Sequence, residues 1–346
     1  MRHKLPALAL GFAVALTGCS SNDGPPNVQT VPAATAEQSP ALSTQPDGVV
    51  VPLDDNIIAT HFDATTESVV LLTDTSELLI GRNLASASPT EALNFDRVAL
   101  HHAPASLALD NRGNAYVAAG NEVIKVDLST SETTPALRAD TDVNLTSIAL
   151  TDDSTAIVGT ENGHIYSSPL PTSREPVSIN EPDIRGLVGT DVLVATGGAL
   201  AALDRQQSMI VEVFPDRNST GFSLRAGNGA STMIADEQGR ILVANTRDGE
   251  LLVYSLDRLI LRQRYPVADS PYGIAYDAHN DLAWVTQTGR NEVAAYSLAT
   301  GIPEEVVRYS TVEQPNSVTI DTVNKYAYIS SAIGGGVQRI PLDTAR

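Results

Sequence analysis

Few residues of this 346-residue chain are of a kind that does chemistry unaided, and their spacing limits what that chemistry can be. Cysteine occurs once, at Cys19, so no disulfide can close within the chain. It follows Leu16-Thr17-Gly18 at the end of an apolar run. His101 and His102 are adjacent. Neighbouring residues in an extended chain point to opposite sides, so the pair cannot easily hold one metal ion, and the expectation is one solvated ring and one packed ring. Asp and Glu number 41 against 22 Lys and Arg, for a net charge of −19. A hard cation would need several oxygen ligands, and no Asp-x-Asp-x-Asp-Gly loop supplies them. There is no Gly-x-Ser-x-Gly elbow for a serine nucleophile. No helix pattern follows Gly197-Gly198 or Gly334-Gly335-Gly336, so these do not read as phosphate loops. The acidic balance argues against a nucleic-acid partner, whose phosphates are neutralised by Lys and Arg.

The elements that position these residues begin with a leader. Met1 to Lys4 is short and basic, and Leu5 to Leu16 is apolar apart from Pro6 and Gly11. That run is shorter than the roughly 20 residues a membrane-spanning helix needs, and it has the build of a secretory signal. Leu16-Thr17-Gly18-Cys19 resembles a bacterial lipobox. The resemblance implies removal of residues 1–18, a diacylglyceryl group on Cys19, and an extracytoplasmic domain held to the cell membrane. Two acyl chains anchor stably where one is marginal. Ser20 to Asp47 holds five prolines and no Lys, Arg or aromatic residue. It cannot bury enough apolar surface to fold alone, so residues 19–47 are expected to be the lipidated cysteine and a flexible tether.

The remainder, residues 48–346, repeats. Apolar segments ending at or beside a polar turn residue recur at Leu107–Asp110, Ile148–Thr151, Met233–Asp236, Ile274–Asp277 and Val318–Asp321. Each is followed by a Gly/Asn-type turn and a second apolar strand, then an alternating third and a more polar fourth. With Asp110, Asp152, Asp236, Asp277 and Asp321 as markers, the steps are 42, 84, 41 and 44 residues. The double step implies a degenerate unit with its turn near Gly189-Thr190 and Asp191–Val194 as its second strand. An earlier unit has its marker at Asp63, and 63 to 321 averages 43 residues per step. This spacing predicts an all-β, seven-bladed β-propeller of four-stranded blades. The last unit lacks a fourth strand, so residues 48–53 are expected to fill that place and close the ring. The repeated Asp reads as an Asx-turn that caps each first hairpin.

Pro271-Tyr272-Gly273-Ile274-Ala275-Tyr276-Asp277, followed by Ala283-Trp284-Val285-Thr286-Gln287, resembles the YVTN-type repeat, as does Pro315-Asn316-Ser317-Val318-Thr319-Ile320-Asp321 with Tyr326–Ser331. The resemblance places this chain beside propellers that include cell-surface proteins, lactonase-like hydrolases and binding modules, and fold does not choose among them. In propellers of this kind, ligands usually meet the face built by the loops leading into each first strand and those joining the second and third. His101, His102, Arg185, Asn228, Tyr272 and Asn316 fall on the first loop set. Glu161, Asn162, Asn245, Arg247, Asp248, Gln287, Arg290 and Asn291 fall on the second. The reading that follows is a non-enzymatic module in the cell envelope that binds a protein, glycan or small ligand and needs no cofactor. The alternative is a metal-dependent, lactonase-like hydrolase, which requires Glu161 and Asp248 to converge with asparagines on one divalent cation at the channel mouth.

Overall fold

The computed structural model describes residues 30–86 and 95–342. Seven first strands form an inner ring: Ile57–Asp63, Pro104–Leu109, Leu145–Leu150, Val192–Thr196, Ala230–Ala235, Pro271–Asp277 and Pro315–Asp321. Each packs against the first strand of the next blade, and the first and seventh close the circle. From each, antiparallel strands step outward to form the blade.

The second strand of each blade reads as a near-continuous apolar run because both of its faces are covered. In blade 1, Val70 and Leu72 pack toward blade 2, while Val69 and Leu71 pack toward blade 7. In blade 5, Ile241 and Val243 face blade 4, and Leu242 and Ala244 face blade 6. The period of two thus sends alternate side chains to opposite interfaces. Seven apolar clusters of described residues fill the seven blade interfaces, so the core is a ring of wedges rather than a central mass. The fourth strands are polar and half-exposed, as in Ile260–Pro266 and Glu304–Ser310. Four of them carry an arginine that pairs with the glutamate opening the third strand: Arg97–Glu77, Arg138–Glu122, Arg264–Glu250 and Arg308–Glu292. Charges there make a sheet edge a poor template for another strand.

Ring closure follows the expectation. Val49–Val51 pairs antiparallel with Val337–Pro341 as the outer strand of blade 7, with Val49 opposite Arg339 and Val51 opposite Val337. Gln338, fully buried, clips it in place. Its amide donates to the Asp47 and Ser310 carbonyls at 2.7 and 2.8 Å, and its oxygen accepts from the Val312 N–H at 3.0 Å.

The repeated aspartates cap their hairpins. Asp110 accepts from the N–H groups of Arg112 and Asn114, Asp236 from Gln238 and Arg240, Asp277 from His279 and Asn280, and Asp321 from Val323 and Asn324. In blade 3 the cap is Thr151 rather than its neighbour Asp152, because the Thr151 hydroxyl meets the Thr155 main chain at 3.1 Å in both directions.

Two expectations need correction. Asp191–Val194 is not a second strand: Val192–Thr196 is the innermost strand of blade 4. Its turn is Gly197-Gly198, where φ of 56° and 79° requires the left-handed region that glycine enters freely. Gly189-Thr190 instead leads into that blade. The buried Thr190 hydroxyl donates to the Thr160 carbonyl at 2.8 Å, and the Thr190 carbonyl accepts from Ser147 at 2.6 Å, which ties blade 4 to blade 3. Blade 3 itself has three strands, not four. Its outer position is held by a single bridge between Ile184 and Ile165 and by the Asp183 carboxylate on the Ser167 N–H at 2.6 Å. The intervening Val177–Ser178 joins blade 2 instead, parallel to Thr133–Arg138.

The tether also differs from its expectation. Residues 1–18, Cys19 and the chain to Gln29 lie outside the described residues. Residues 30–47 do not hang free. They run without regular secondary structure along the propeller, with Ala34 and Ser39 buried. Composition argues correctly that this segment has no core of its own. It borrows a surface from blades 4 to 7.

Candidate functional site

The first-strand lead-in loops and the second-to-third-strand loops share one face, here called the upper face. On blade 5 they assemble an amide–carboxylate cluster. Asn245, at the end of the second strand, has no solvent exposure. Its oxygen accepts from the Gly229 N–H at 3.1 Å, and its amide donates to Asp248 at 2.9 Å and to Glu250 at 2.8 Å. Asn228 donates to Asp248 through both its main chain, at 3.0 Å, and its side chain, at 3.1 Å. Partial burial opposes ionisation of Asp248, but the Asn245 and Asn228 donors outweigh it and hold the carboxyl below its ordinary value. Arg264 pairs with Glu250 at 2.6 Å. Asp248 is thus taken up by amides, while Glu161, two blades away, is exposed beside the Asn144 amide at 3.3 Å. Among the described residues, no group of three or more His, Cys, Asp and Glu could hold a metal ion. The pair that the hydrolase alternative depends on is not brought together.

The other predicted residues separate into two groups. Gln287 is buried and engages Arg308, which also bonds Glu292 at 2.6 Å and Glu305 at 2.5 Å. Tyr272 is half-buried, and its carbonyl receives the Thr232 hydroxyl across the blade 5–6 boundary. Asn316 accepts from the Gln314 amide at 3.0 Å. These three hold the scaffold together. His101, His102 and Arg185 remain exposed, as does Glu161. The His102 ring lies over Gly120, where an added Cβ would sit 2.8 Å from the ring. His164 lies near Arg185, and its pKa is lowered by burial first and by that guanidinium second. A recess of about 470 Å³ opens on the same side of the ring, lined by Asn121, Arg138, Asp140, Asp142, Ser178 and Asn180.

The remaining upper face carries residues 30–47. The Val31 N–H donates to the Gln206 carbonyl at 3.0 Å on blade 4. Arg205 and Arg247 donate to the Ala34 and Pro32 carbonyls at 2.6 and 2.8 Å. Farther along, Ser270, Thr288, Asn291 and Gln314 hold residues 37–40. Arg247 and Asn291 are among the sequence-derived residues of this face, but Arg205, Ser270 and Gln314 are not. Their types are unremarkable in a loop, and only the fold brings them into line. Gln314 and Ser270 sit at φ of 55° and 62°, a conformation that neither residue type announces.

A second recess, of about 410 Å³, lies on the opposite face between blades 4 and 5, beside the Gly197-Gly198 turn and the exposed Phe222. Its floor includes Glu212, buried, in no ion pair among the described residues, and receiving the N–H groups of Leu259 and Phe222 at 2.8 and 2.9 Å. Because one bond crosses to blade 5 and the other stays in blade 4, that carboxylate serves as an inter-blade clasp.

No family model matches the sequence, and no curated protein matches it either. Solved structures do match in shape. One is titled Kuenenia stuttgartiensis hydrazine synthase, at 14% identity and a TM-score of 0.67, covering 88% of this chain and 99% of that one. Another is a chain of a structure titled as the mitotic checkpoint complex, at 10% identity and a TM-score of 0.66, covering 97% of this chain and all of that one. At such identity the likeness is one of fold.

Proposed function

We propose that this chain is a lipid-anchored, extracytoplasmic β-propeller that binds a protein, glycan or small ligand in the cell envelope. The observation that carries the reading is how the upper face is divided. The polar candidates that stay exposed away from residues 30–47 (His101, His102, Glu161, Asn162 and Arg185) stand on the loops of blades 2 and 3 and on the lead-in to blade 4. A polar recess lined by Arg138 and Asp142 opens on the same side of the ring. Loops presented by a rigid scaffold are where binding residues concentrate. The leader, the lipobox-like Leu16–Cys19 and the YVTN-like repeats of blades 6 and 7 support the cellular setting. Because the arm is docked from residue 31 onward, only residues 20–29 would separate the anchored cysteine from Thr30. At about 3.5 Å per residue that is a reach of roughly 40 Å, so the upper face would stay near the bilayer.

Two measurements test this. Fatty-acid labelling of cells producing the chain should mark the wild type and not Cys19→Ala, and label in both would refute the anchor. A photo-cross-linking residue at position 102 or 185 should capture an envelope component that the same group at position 323, on the opposite face, does not. Equal capture from both faces would refute a binding site on blades 2–4.

A further inference from the structure

The contacts between the propeller and residues 31–40 are made almost wholly to the arm's main chain. Beyond the three bonds at Val31, Pro32 and Ala34, the Glu37 N–H donates to Ser270 Oγ at 2.9 Å, and the Glu37 carbonyl accepts from Gln314 Nε2 at 3.0 Å. The Ser39 N–H donates to Gln314 Oε1 at 2.9 Å, and the Pro40 carbonyl accepts from Asn291 Nδ2 at 2.7 Å. At both proline positions only the carbonyl is used, which suits residues with no N–H to offer. Two side chains are read as well. Ala34 is buried against Gly229, where a Cβ on the glycine would lie 3.1 Å from the alanine methyl. Ser39 Oγ donates to the Thr288 carbonyl at 2.7 Å and accepts from the Gln314 N–H at 3.0 Å.

We infer that the upper face of blades 4 to 7 is a binding track for an irregular, proline-containing polypeptide segment with a small residue at one position and serine five residues later. The chain's own residues 31–40 are its resident occupant, held in cis. Main-chain recognition of this kind gives affinity without demanding sequence, and pockets for particular side chains add selectivity. The occupant is covalently linked to blade 7 through residues 41–48, and a short linker gives an effective concentration in the millimolar range. A free peptide therefore cannot compete until the resident arm is weakened. The inference does not depend on the lipid anchor.

The test uses the full chain in two forms, wild type and a variant carrying Ala34→Arg and Ser39→Pro, which change the arm and leave every blade residue intact. The probe is a fluorescein-labelled synthetic peptide with the sequence of residues 29–44. Fluorescence anisotropy should show the variant binding the peptide at least tenfold more tightly than the wild type. Adding Gln314→Ala and Asn291→Ala to the variant should remove that binding, as should Ser39→Pro in the peptide. Thermal melts run alongside verify that the propeller is folded. A folded variant that fails to bind the peptide, or that binds no better than the wild type, overturns the inference. So does a variant that loses its cooperative melt, because the arm would then be part of the fold and not an occupant of a site.

Discussion

Replacing Asn245 by alanine removes three hydrogen bonds at a position with no solvent exposure. The largest loss falls on the buried Gly229 N–H, whose acceptor disappears, and an unsatisfied buried donor costs about 1–3 kcal/mol. Asp248 keeps Asn228, and Glu250 keeps Arg264, so each of the two amide–carboxylate bonds counts for only about 0.5–1 kcal/mol. The sum is about 3 kcal/mol, which for a domain of this size lowers the melting temperature by about 5 °C. Thermal unfolding at pH 7 measures it. Carbon-detected NMR of Asp248 supplies an independent readout. In the wild type its pKa is depressed, so its contribution to stability is present above the unfolded-state value and is lost as pH falls through the folded value. In Asn245→Ala the pKa should rise, and the gap in stability between wild type and variant should narrow toward acid. A melting temperature within about 1 °C of wild type, or an Asp248 titration that does not move, would refute the cluster as a structural unit. It would return both residues to the pool of ligand-binding candidates.

Three further outcomes follow from other parts of the ring. Gly273→Ala should destabilise the propeller by about 1–3 kcal/mol, because the new Cβ would lie 2.9 Å from the Asn316 carbonyl and 3.0 Å from Thr286 Oγ1; a denaturant midpoint equal to wild type would show that blades 6 and 7 can separate freely. Burial lowers the His61 pKa to about 4, so the ring is neutral in the fold and protonated in the unfolded chain between that pH and about 6.5. Stability should therefore fall as pH drops through this window, by up to about 3 kcal/mol, and urea unfolding of His61→Gln at pH 7 and pH 4.5 should show part of that loss abolished; parallel pH profiles would sink the assignment. Gln338→Leu strands the Val312 N–H and the Asp47 carbonyl, at a cost of about 2–4 kcal/mol. Its hydrogen-exchange signature should be faster exchange in Val49–Val51 and its partner strand, and uniform protection across blade 7 would contradict the clip.

The propeller was legible because its periodic features are local. Asp110, Asp236, Asp277 and Asp321 mark hairpins through bonds to N–H groups two to four residues away, so the spacing of caps is the spacing of blades. Blade 4 misled for the same reason. It has no aspartate cap, and its Gly197-Gly198 turn lies beyond a Gly189-Thr190-Asp191 stretch that has turn composition but works as an inter-blade tie. Blade 3 lost its fourth strand to a neighbour, since the chain around Val177 found a parallel partner in blade 2, and no residue in that segment signals the exchange. The glutamate–arginine pairs were present in the sequence as a glutamate opening each third strand in blades 1, 2, 5 and 6. They become visible as a motif only once the arginine of the fourth strand is known to lie opposite.

The candidate site was less legible, because exposure decides a binding role and exposure is set by distant parts of the chain. Asn245 and Gln287 have the right residue type on the right loops, yet the amides are consumed within their own blades. The arm is the clearest case. The low hydrophobicity and five prolines of residues 20–47 establish that the segment cannot fold alone, but they do not establish that it stays undocked. A segment held by its main chain needs no apolar residues of its own, only acceptors and donors at intervals matched to a fixed surface. Each such bond contributes a net stabilisation of about 1 kcal/mol, and ordering each residue costs about the same. The main-chain bonds therefore nearly offset the ordering cost, and the net hold on the arm rests on the buried Ala34 and Ser39. That balance is why single changes such as Ser39→Pro are expected to release it. It also allows one stretch of chain to serve as a spacer when free and as an occupant of the upper face when docked.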